Sequence, residues 1–178
     1  MRRRSVVLAM AIVGGALLVA SLAVAADGKK NLKSGALSGY EENPDVSSVA
    51  TGSFKITIDD TAQTLAYELS YSGLEGTVQQ AHIHFAKPAV NGGITVFLCT
   101  NLGNGPMGTP PCPQSGTVAR TVGAAEILAP AVAGTPQGIE AGNFAELAEA
   151  LRVGHTYANV HSTTWPAGEI RAQINEHR

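Results

Sequence analysis

Apolar residues recur at every second position in two neighbouring segments, and this period limits the fold more than any other feature of the chain. In residues 54–58 and 65–71, Phe, Ile, Leu and Tyr are separated by Lys, Thr, Ala, Glu and Ser. Successive side chains of a β-strand point to opposite faces, so this period predicts half-buried antiparallel strands. The turn residues 59–62 between the two segments predict a hairpin.

Several further segments carry strand signals. They are residues 37–42, 78–86, 93–98, 116–122, 156–162 and 169–175. The sequence therefore predicts an all-β fold, an immunoglobulin-like or Greek-key antiparallel β-sandwich or barrel of about eight strands. One short connecting helix is predicted after Asn143, which serves as N-cap with Glu146 at the third helical position, and Gly154 ends it.

The first 26 residues have the pattern of a secretory signal peptide. Three arginines precede an apolar run over residues 6–20, and small residues follow at Ala23 and Ala25. An uncleaved membrane anchor is the alternative, because about 20 apolar residues span a bilayer. We expect a linker over residues 27–35, one domain over residues 36–176, and no stable membrane insertion once the signal is removed.

The charge of the chain argues against some partners. Its formal net charge is -2, and cleavage of the signal would also remove Arg2, Arg3 and Arg4. Nucleic acids and anionic membranes need a basic surface, so we expect neither as a partner.

Two cysteines, Cys99 and Cys112, flank a loop rich in Gly and Pro. In an exported chain this pair predicts a disulfide that pins the loop. Two free thiols or a cysteine metal pair are the alternatives.

Polar side chains lie opposite the apolar ones on three predicted strands. In residues 81–85, His82 and His84 share the face opposite Ala, Ile and Phe. By the same alternation, residues 157–161 place Asn159 and His161 on the polar face, and residues 169–174 place Glu169 and Arg171 there. If the strands are neighbours, these groups form one polar patch.

The patch has two interpretations. The three imidazoles of His82, His84 and His161 suit a Cu or Zn ion, with Glu169 as a fourth ligand or as an acceptor behind the ligands. Alternatively, Asn159, Glu169 and Arg171 form a structural network that ties hairpins together, and Glu41 or Glu42 pairs with Arg171. No nucleophile elbow or carboxylate pair stands out, so no catalytic residue is predicted and a hydrolase is disfavoured.

Five segments together resemble the CHRD domain, named after chordin. They are "LSGYEENPDV", "ATGSFKITID", "LAYELSYSGLEG", "AHIHFAKPAVNGGITVFL" and "LRVGHTYANVHSTTWPAGEIRAQI". The resemblance implies an extracytoplasmic immunoglobulin-like β-barrel or sandwich with a distant likeness to Cu,Zn superoxide dismutases. It brings no settled activity, and chordin suggests a scaffold that binds proteins.

Two functions are therefore expected. The first is a secreted, non-catalytic binding or structural module with an extracellular protein or matrix partner. The second is a copper- or zinc-binding protein that uses His82, His84 and His161 for storage, delivery or redox chemistry. The histidines are too few for the two metals of a dismutase, so at most one metal ion is expected.

Overall fold

The computed structural model describes residues 28–174, and the predicted signal peptide at residues 1–26 lies outside them. Ten strands and one α-helix form in this part of the chain. No helix among residues 28–174 is both long enough and apolar enough to cross a membrane.

Eight of the strands form two four-stranded antiparallel sheets, which we call sheet A and sheet B. Sheet A has the order β1-β2-β3-β6, and its strands are Lys29–Lys33 (β1), Thr51–Asp59 (β2), Thr64–Ser72 (β3) and Gly116–Gly123 (β6). Sheet B has the order β10-β9-β4-β5, and its strands are Val78–Phe85 (β4), Gly93–Thr100 (β5), Thr156–Ser162 (β9) and Ile170–Ile174 (β10). A short hairpin, Ala131–Val132 (β7) and Thr135–Pro136 (β8), completes the ten.

The apolar faces of the two sheets form one core. Sheet A contributes Phe54, Ile56, Ile58, Leu65 and Leu69, and sheet B contributes Ala81, Ile83, Val96, Leu98, Ala158, Val160, Ile170, Ala172 and Ile174. These are the residues that the two-residue period places inward. The prediction of an antiparallel β-sandwich is confirmed, and the described strands do not close into a barrel.

The helix α1, Phe144–Arg152, begins and ends as predicted. The side chain of Asn143 accepts a hydrogen bond from the backbone N–H of Glu146, which caps the first turn. Gly154 follows the helix with φ +74°, and the N–H of His155 bonds the carbonyl of Ala150. This left-handed glycine ends the helix by satisfying its last carbonyls. The buried face of the helix joins the core through Phe144, Leu147, Ala148, Ala150 and Leu151.

Two segments near the start of the domain differ from the sequence-based expectation. Within the segment expected as a linker, β1 pairs with β2 along the edge of sheet A. Its exposed lysines are typical of an edge strand because they discourage pairing with further strands, and Leu32 is its one buried residue. The strand expected at residues 37–42 is instead an isolated bridge at Leu37 followed by a 3₁₀ turn, Gly39–Glu41.

The 3₁₀ turn has a positional cause. The backbone of Leu37 bonds Gly52 in sheet A, and the backbone of Ser38 bonds Arg171 in sheet B. The chain therefore crosses from one sheet to the other at this point and cannot continue as a strand of either. This crossing places Glu42 close to the outer face of sheet B.

Candidate metal centre

Strands β4 and β9 bring the three predicted histidines together. The two strands are antiparallel neighbours in sheet B, with His82 opposite Asn159 and Gln80 opposite His161. Their apolar partners Ala81, Ile83, Ala158 and Val160 occupy the core, so the imidazoles lie on the outer face of the sheet. One ligand atom from each of His82, His84 and His161 lies within 4.8 Å of the other two.

The outer face is covered at this point, and the histidines are buried. The exposed fractions of His82, His84 and His161 are 0%, 8% and 6%. The loop that follows β4 covers His84, and the loop that follows β9 covers His161, each through a backbone carbonyl. The ring of Phe97 on β5 stands edge-on to His82, with ring centroids 4.4 Å apart. The cluster is therefore shielded from bulk water.

Two of the imidazoles are oriented by backbone carbonyls. His84 Nδ1 lies 2.8 Å from Gly92 O, and His161 Nδ1 lies 3.1 Å from Pro166 O. A carbonyl oxygen only accepts, so each Nδ1 carries the proton and each Nε2 of a neutral ring presents a lone pair. Histidines that bind metals are held in this way, with the second ring N–H bonded to an acceptor outside the site.

The nitrogen of His161 that faces the cluster, Nε2, lies close to an oxygen that would repel its lone pair. His161 Nε2 is 3.2 Å from His82 Nδ1 and 3.0 Å from Asn159 Oδ1. If Nε2 carries the lone pair, that lone pair and Asn159 Oδ1 repel each other. If Nε2 carries the proton, the lone pair is on Nδ1 and is repelled by Pro166 O. No neutral form of this ring satisfies the Asn159 and Pro166 oxygens together in the arrangement seen. A cation beside Nε2 removes the conflict, because lone pairs of nitrogen and oxygen are both attracted to it.

Two further nitrogens of the cluster are buried without a hydrogen-bond partner. They are His82 Nε2 and His84 Nε2. A buried polar atom that lacks a partner costs about 1–3 kcal/mol, so such atoms in a folded protein call for an explanation. An ion bound by His84 Nε2 would explain that nitrogen, whereas His82 would bind the same ion through Nδ1, because the two nitrogens of one imidazole point in different directions.

The separations are close to those of a mononuclear site. With metal–nitrogen distances of 2.0–2.1 Å, two ligands of a tetrahedral ion lie about 3.3 Å apart. The His82 Nδ1 to His161 Nε2 distance of 3.2 Å already matches this value. The widest separation, within 4.8 Å, would close through a side-chain shift of about 1 to 2 Å.

Burial keeps all three rings neutral, the form that binds metals. It lowers the pKa of His82 to about 2, and the neighbouring His161 and His84 lower it further. Burial also lowers the pKa of His84 and of His161 to about 4, each opposed by its bond to a backbone carbonyl. No proton therefore competes for these nitrogens at neutral pH.

A stack of side chains holds His84 from the β9 and β10 sides. The His84 and Tyr157 rings are parallel with centroids 4.8 Å apart, and the Arg171 guanidinium lies 3.4 Å from the Tyr157 centroid. Arg171 also donates to Asn91 Oδ1 and Val90 O, and Tyr157 OH accepts from Gly92 N. Arg171 and Tyr157 thus fix the loop whose Gly92 carbonyl orients His84.

Glu169, the fourth predicted ligand, is not brought to the histidines. Its Oε1 accepts hydrogen bonds from the Ser48 hydroxyl and the Glu75 backbone N–H, both at 2.8 Å. Strand β10 begins only at Ile170, so the alternation used to place Glu169 beside Arg171 does not extend to it. Of the polar network expected from the sequence, Asn159 and Arg171 lie around the histidines, and the hydrogen bonds of the Glu169 carboxylate run to Ser48 and Glu75.

Glu42, one of the two glutamates expected to pair with Arg171, is a buried acid near the cluster. Burial raises its pKa to about 7, against the opposing effects of Arg171, Asn159 and the Asn43 backbone. The expected pairing with Arg171 takes the form of this charge interaction, because the guanidinium hydrogen bonds run to Asn91 and Val90. No strand periodicity marks Glu42, since it follows the 3₁₀ turn.

The predicted disulfide between Cys99 and Cys112 is formed, and it closes the loop after β5. Its first cysteine lies two residues beyond Phe97, the ring that contacts His82.

The other two histidines are not part of the cluster described above. His155 is exposed after α1, and His177 lies outside the described residues.

Comparison with known proteins identifies the family. Searches of curated proteins and of solved structures return no match. The family model of the CHRD domain matches residues 34–174, which include both sheets and all three buried histidines. That range covers most of the chain, and the chain therefore belongs to the CHRD domain family.

Proposed function

We propose that this protein is an extracytoplasmic, non-catalytic binding module of the CHRD family whose ligand is one copper or zinc ion held by His82, His84 and His161. The observation that carries the proposal is the meeting of three buried imidazoles whose ligand atoms lie within 4.8 Å of one another, two of them with Nδ1 held by a backbone carbonyl. A bound cation would be a common partner for the lone pair of His161 Nε2, which faces Asn159 Oδ1 at 3.0 Å, and for the unpartnered His84 Nε2.

The chemistry of the three side chains supports copper or zinc. Neutral imidazole is a good ligand for both metals, and all three rings are neutral at physiological pH. Calcium and magnesium prefer oxygen ligands, so they do not suit this set. Bound copper or zinc would supply Lewis acidity, and copper also redox chemistry.

Burial favours holding the ion over turning over a substrate. The cluster lies beneath two loops and Phe97, and His82 is fully buried. An open catalytic metal site keeps one position for water or substrate, which needs access. Storage or delivery of the ion is the role consistent with such a covered site.

An extracytoplasmic location is supported by two features. The first 26 residues have the charge and hydropathy pattern of a signal peptide. The Cys99–Cys112 disulfide is typical of an oxidising compartment.

The test is metal content and metal titration of the untagged protein produced from the full chain. We expect about one equivalent of copper or zinc by mass spectrometry and tight binding by titration, both lost in a His82→Ala/His161→Ala double variant. His155→Ala is the matched control, because this exposed imidazole lies outside the cluster, and we expect it to bind as the unmodified protein does. Absence of stoichiometric metal, with a double variant that is only less stable, would make the cluster structural.

A further inference from the structure

The ligand set of the candidate site carries no negative charge. Among residues 28–174, the potential metal-binding groups of three or more side chains consist of this one set of histidines, with no Cys, Asp or Glu in it. The Glu169 carboxylate is not part of this set, and its Oε1 is bonded to Ser48 and the Glu75 backbone. The ion would therefore keep its full charge inside the protein.

The surroundings of the site favour a low charge on the ion. His82 is fully buried and lies under the Phe97 ring. The energy of transferring an ion from water to such a medium grows with the square of its charge, so a divalent ion costs about four times as much as a monovalent one.

A buried positive charge also acts on His84. Arg171 is 1% exposed, and its guanidinium lies against the Tyr157 ring that stacks on His84. Repulsion between Arg171 and a bound ion is twice as large for a dication as for a monocation at the same distance. Glu42 offsets this repulsion only to the extent that it is ionised.

The number of ligands also favours a monovalent ion. Zinc in proteins is almost always four-coordinate, and a site with three histidines completes its sphere with water or substrate. Here the described residues supply three nitrogens beneath a covered surface, and the amide oxygen of Asn159 beside His161 is not among the Cys, His and carboxylate ligands that bind zinc in proteins. Monovalent copper accepts three ligands and needs no water molecule.

We infer that the ion held by His82, His84 and His161 is monovalent copper in preference to zinc or another divalent ion. This inference rests on the metal site proposed above and adds the charge state of its ligand. It assigns the protein to the handling of reduced copper outside the cytoplasm.

The test compares two ions on one protein. The metal-stripped protein is titrated under anaerobic conditions with Cu(I) against a colorimetric Cu(I) chelator, and separately with Zn(II) against a zinc chelator, at one neutral pH. We expect one equivalent of Cu(I) bound with a Kd at least 100-fold below that of Zn(II). The Cu K-edge X-ray absorption spectrum should show a three-coordinate nitrogen environment.

Two controls separate the possible outcomes. The His155→Ala variant should keep the preference for Cu(I). The Phe97→Ser variant admits water beside His82, so the ratio of the Zn(II) Kd to the Cu(I) Kd should fall at least tenfold. A Zn(II) Kd equal to or below that of Cu(I) overturns the preference for monovalent copper and leaves the metal site standing. Failure of both ions to bind overturns the site itself and the inference with it.

Discussion

His82 Nδ1 and His161 Nε2 lie 3.2 Å apart although 79 residues separate them in the sequence. The pairing of β4 with β9 sets this distance, since Gln80 and His161 are opposite each other in the register. The two nitrogens face each other in a buried space at the spacing of ligands on one metal ion.

Replacing His82 with leucine should affect the metal-free and the metal-bound protein differently. In the metal-free protein His82→Leu removes the unpartnered Nε2, which stabilises, and the Nδ1 contact with His161 Nε2, which destabilises, so we expect the free energy of unfolding to change by less than about 1 kcal/mol. In the unmodified protein, free Cu(I) at 1,000 times its Kd adds about 4 kcal/mol to the free energy of unfolding. The variant should lose this stabilisation. Urea unfolding with and without Cu(I) measures both values. A loss above about 3 kcal/mol without metal would instead assign His82 a structural role.

The stability of the metal-free protein should fall as the solution is acidified below pH 6.5. The folded pKa values of His82, His84 and His161 are about 2, 4 and 4, below the ordinary value of 6.5. The unfolded chain therefore binds more protons in this range, and each imidazole contributes a loss of up to about 1.4 kcal/mol per pH unit. Stability from these three groups is fully present above pH 6.5 and is lost towards their folded pKa values.

Glu42 acts in the opposite direction and provides a control for this pH dependence. Its pKa rises from 4.5 to about 7 on folding, so its contribution is present below pH 4.5 and is lost as the pH rises through 7. Between these pH values, the Glu42 contribution cancels the change in the free energy of unfolding with pH that about one imidazole causes. We expect Glu42→Gln to steepen the loss between pH 6.5 and 4.5 by up to about 1.4 kcal/mol per pH unit, measured by urea unfolding. An unchanged slope in Glu42→Gln would contradict the assignment of a raised pKa to Glu42.

The sequence predicts which residues share a face, and the structure adds which strands are neighbours. Alternation alone placed His82 and His84 together, because it is a local property of one strand. The approach of His161 depends on the register between strands far apart in the sequence, which no local pattern fixes. Tertiary pairing therefore decided whether three scattered histidines formed one cluster.

Two acidic residues lie where regular structure begins or ends. Glu169 directly precedes β10, and Glu42 follows a 3₁₀ turn at the crossing between the sheets. At such positions the strand period no longer fixes the direction of a side chain. The covering loops were not predictable either, because the carbonyls of Gly92 and Pro166 carry no side-chain signal.

The disulfide should stabilise the fold. It joins residues separated by 13 positions, and the entropy of closing a loop of that length corresponds to about 3 kcal/mol. We expect the Cys99→Ala/Cys112→Ala variant to lose about this amount in urea unfolding. A loss below about 1 kcal/mol would show that other contacts hold the loop, among them the bonds of Asn101 to the backbone of Cys112.

Glu169→Ala should weaken the fold and leave metal binding unchanged. The substitution leaves the Ser48 hydroxyl and the Glu75 N–H without their acceptor, at a cost of about 2–3 kcal/mol in the free energy of unfolding. The affinity for Cu(I) should stay within about threefold of the unmodified protein, because the Glu169 carboxylate bonds these groups and not the imidazoles. Urea unfolding and chelator competition on the same preparation give both numbers. If Cu(I) affinity fell more than tenfold in a folded Glu169→Ala protein, the carboxylate would have to reach the ion by a rearrangement of the segment before β10. The set of three histidines would then have to be extended to four ligands, and with a carboxylate in the set the preference for a monovalent ion would weaken.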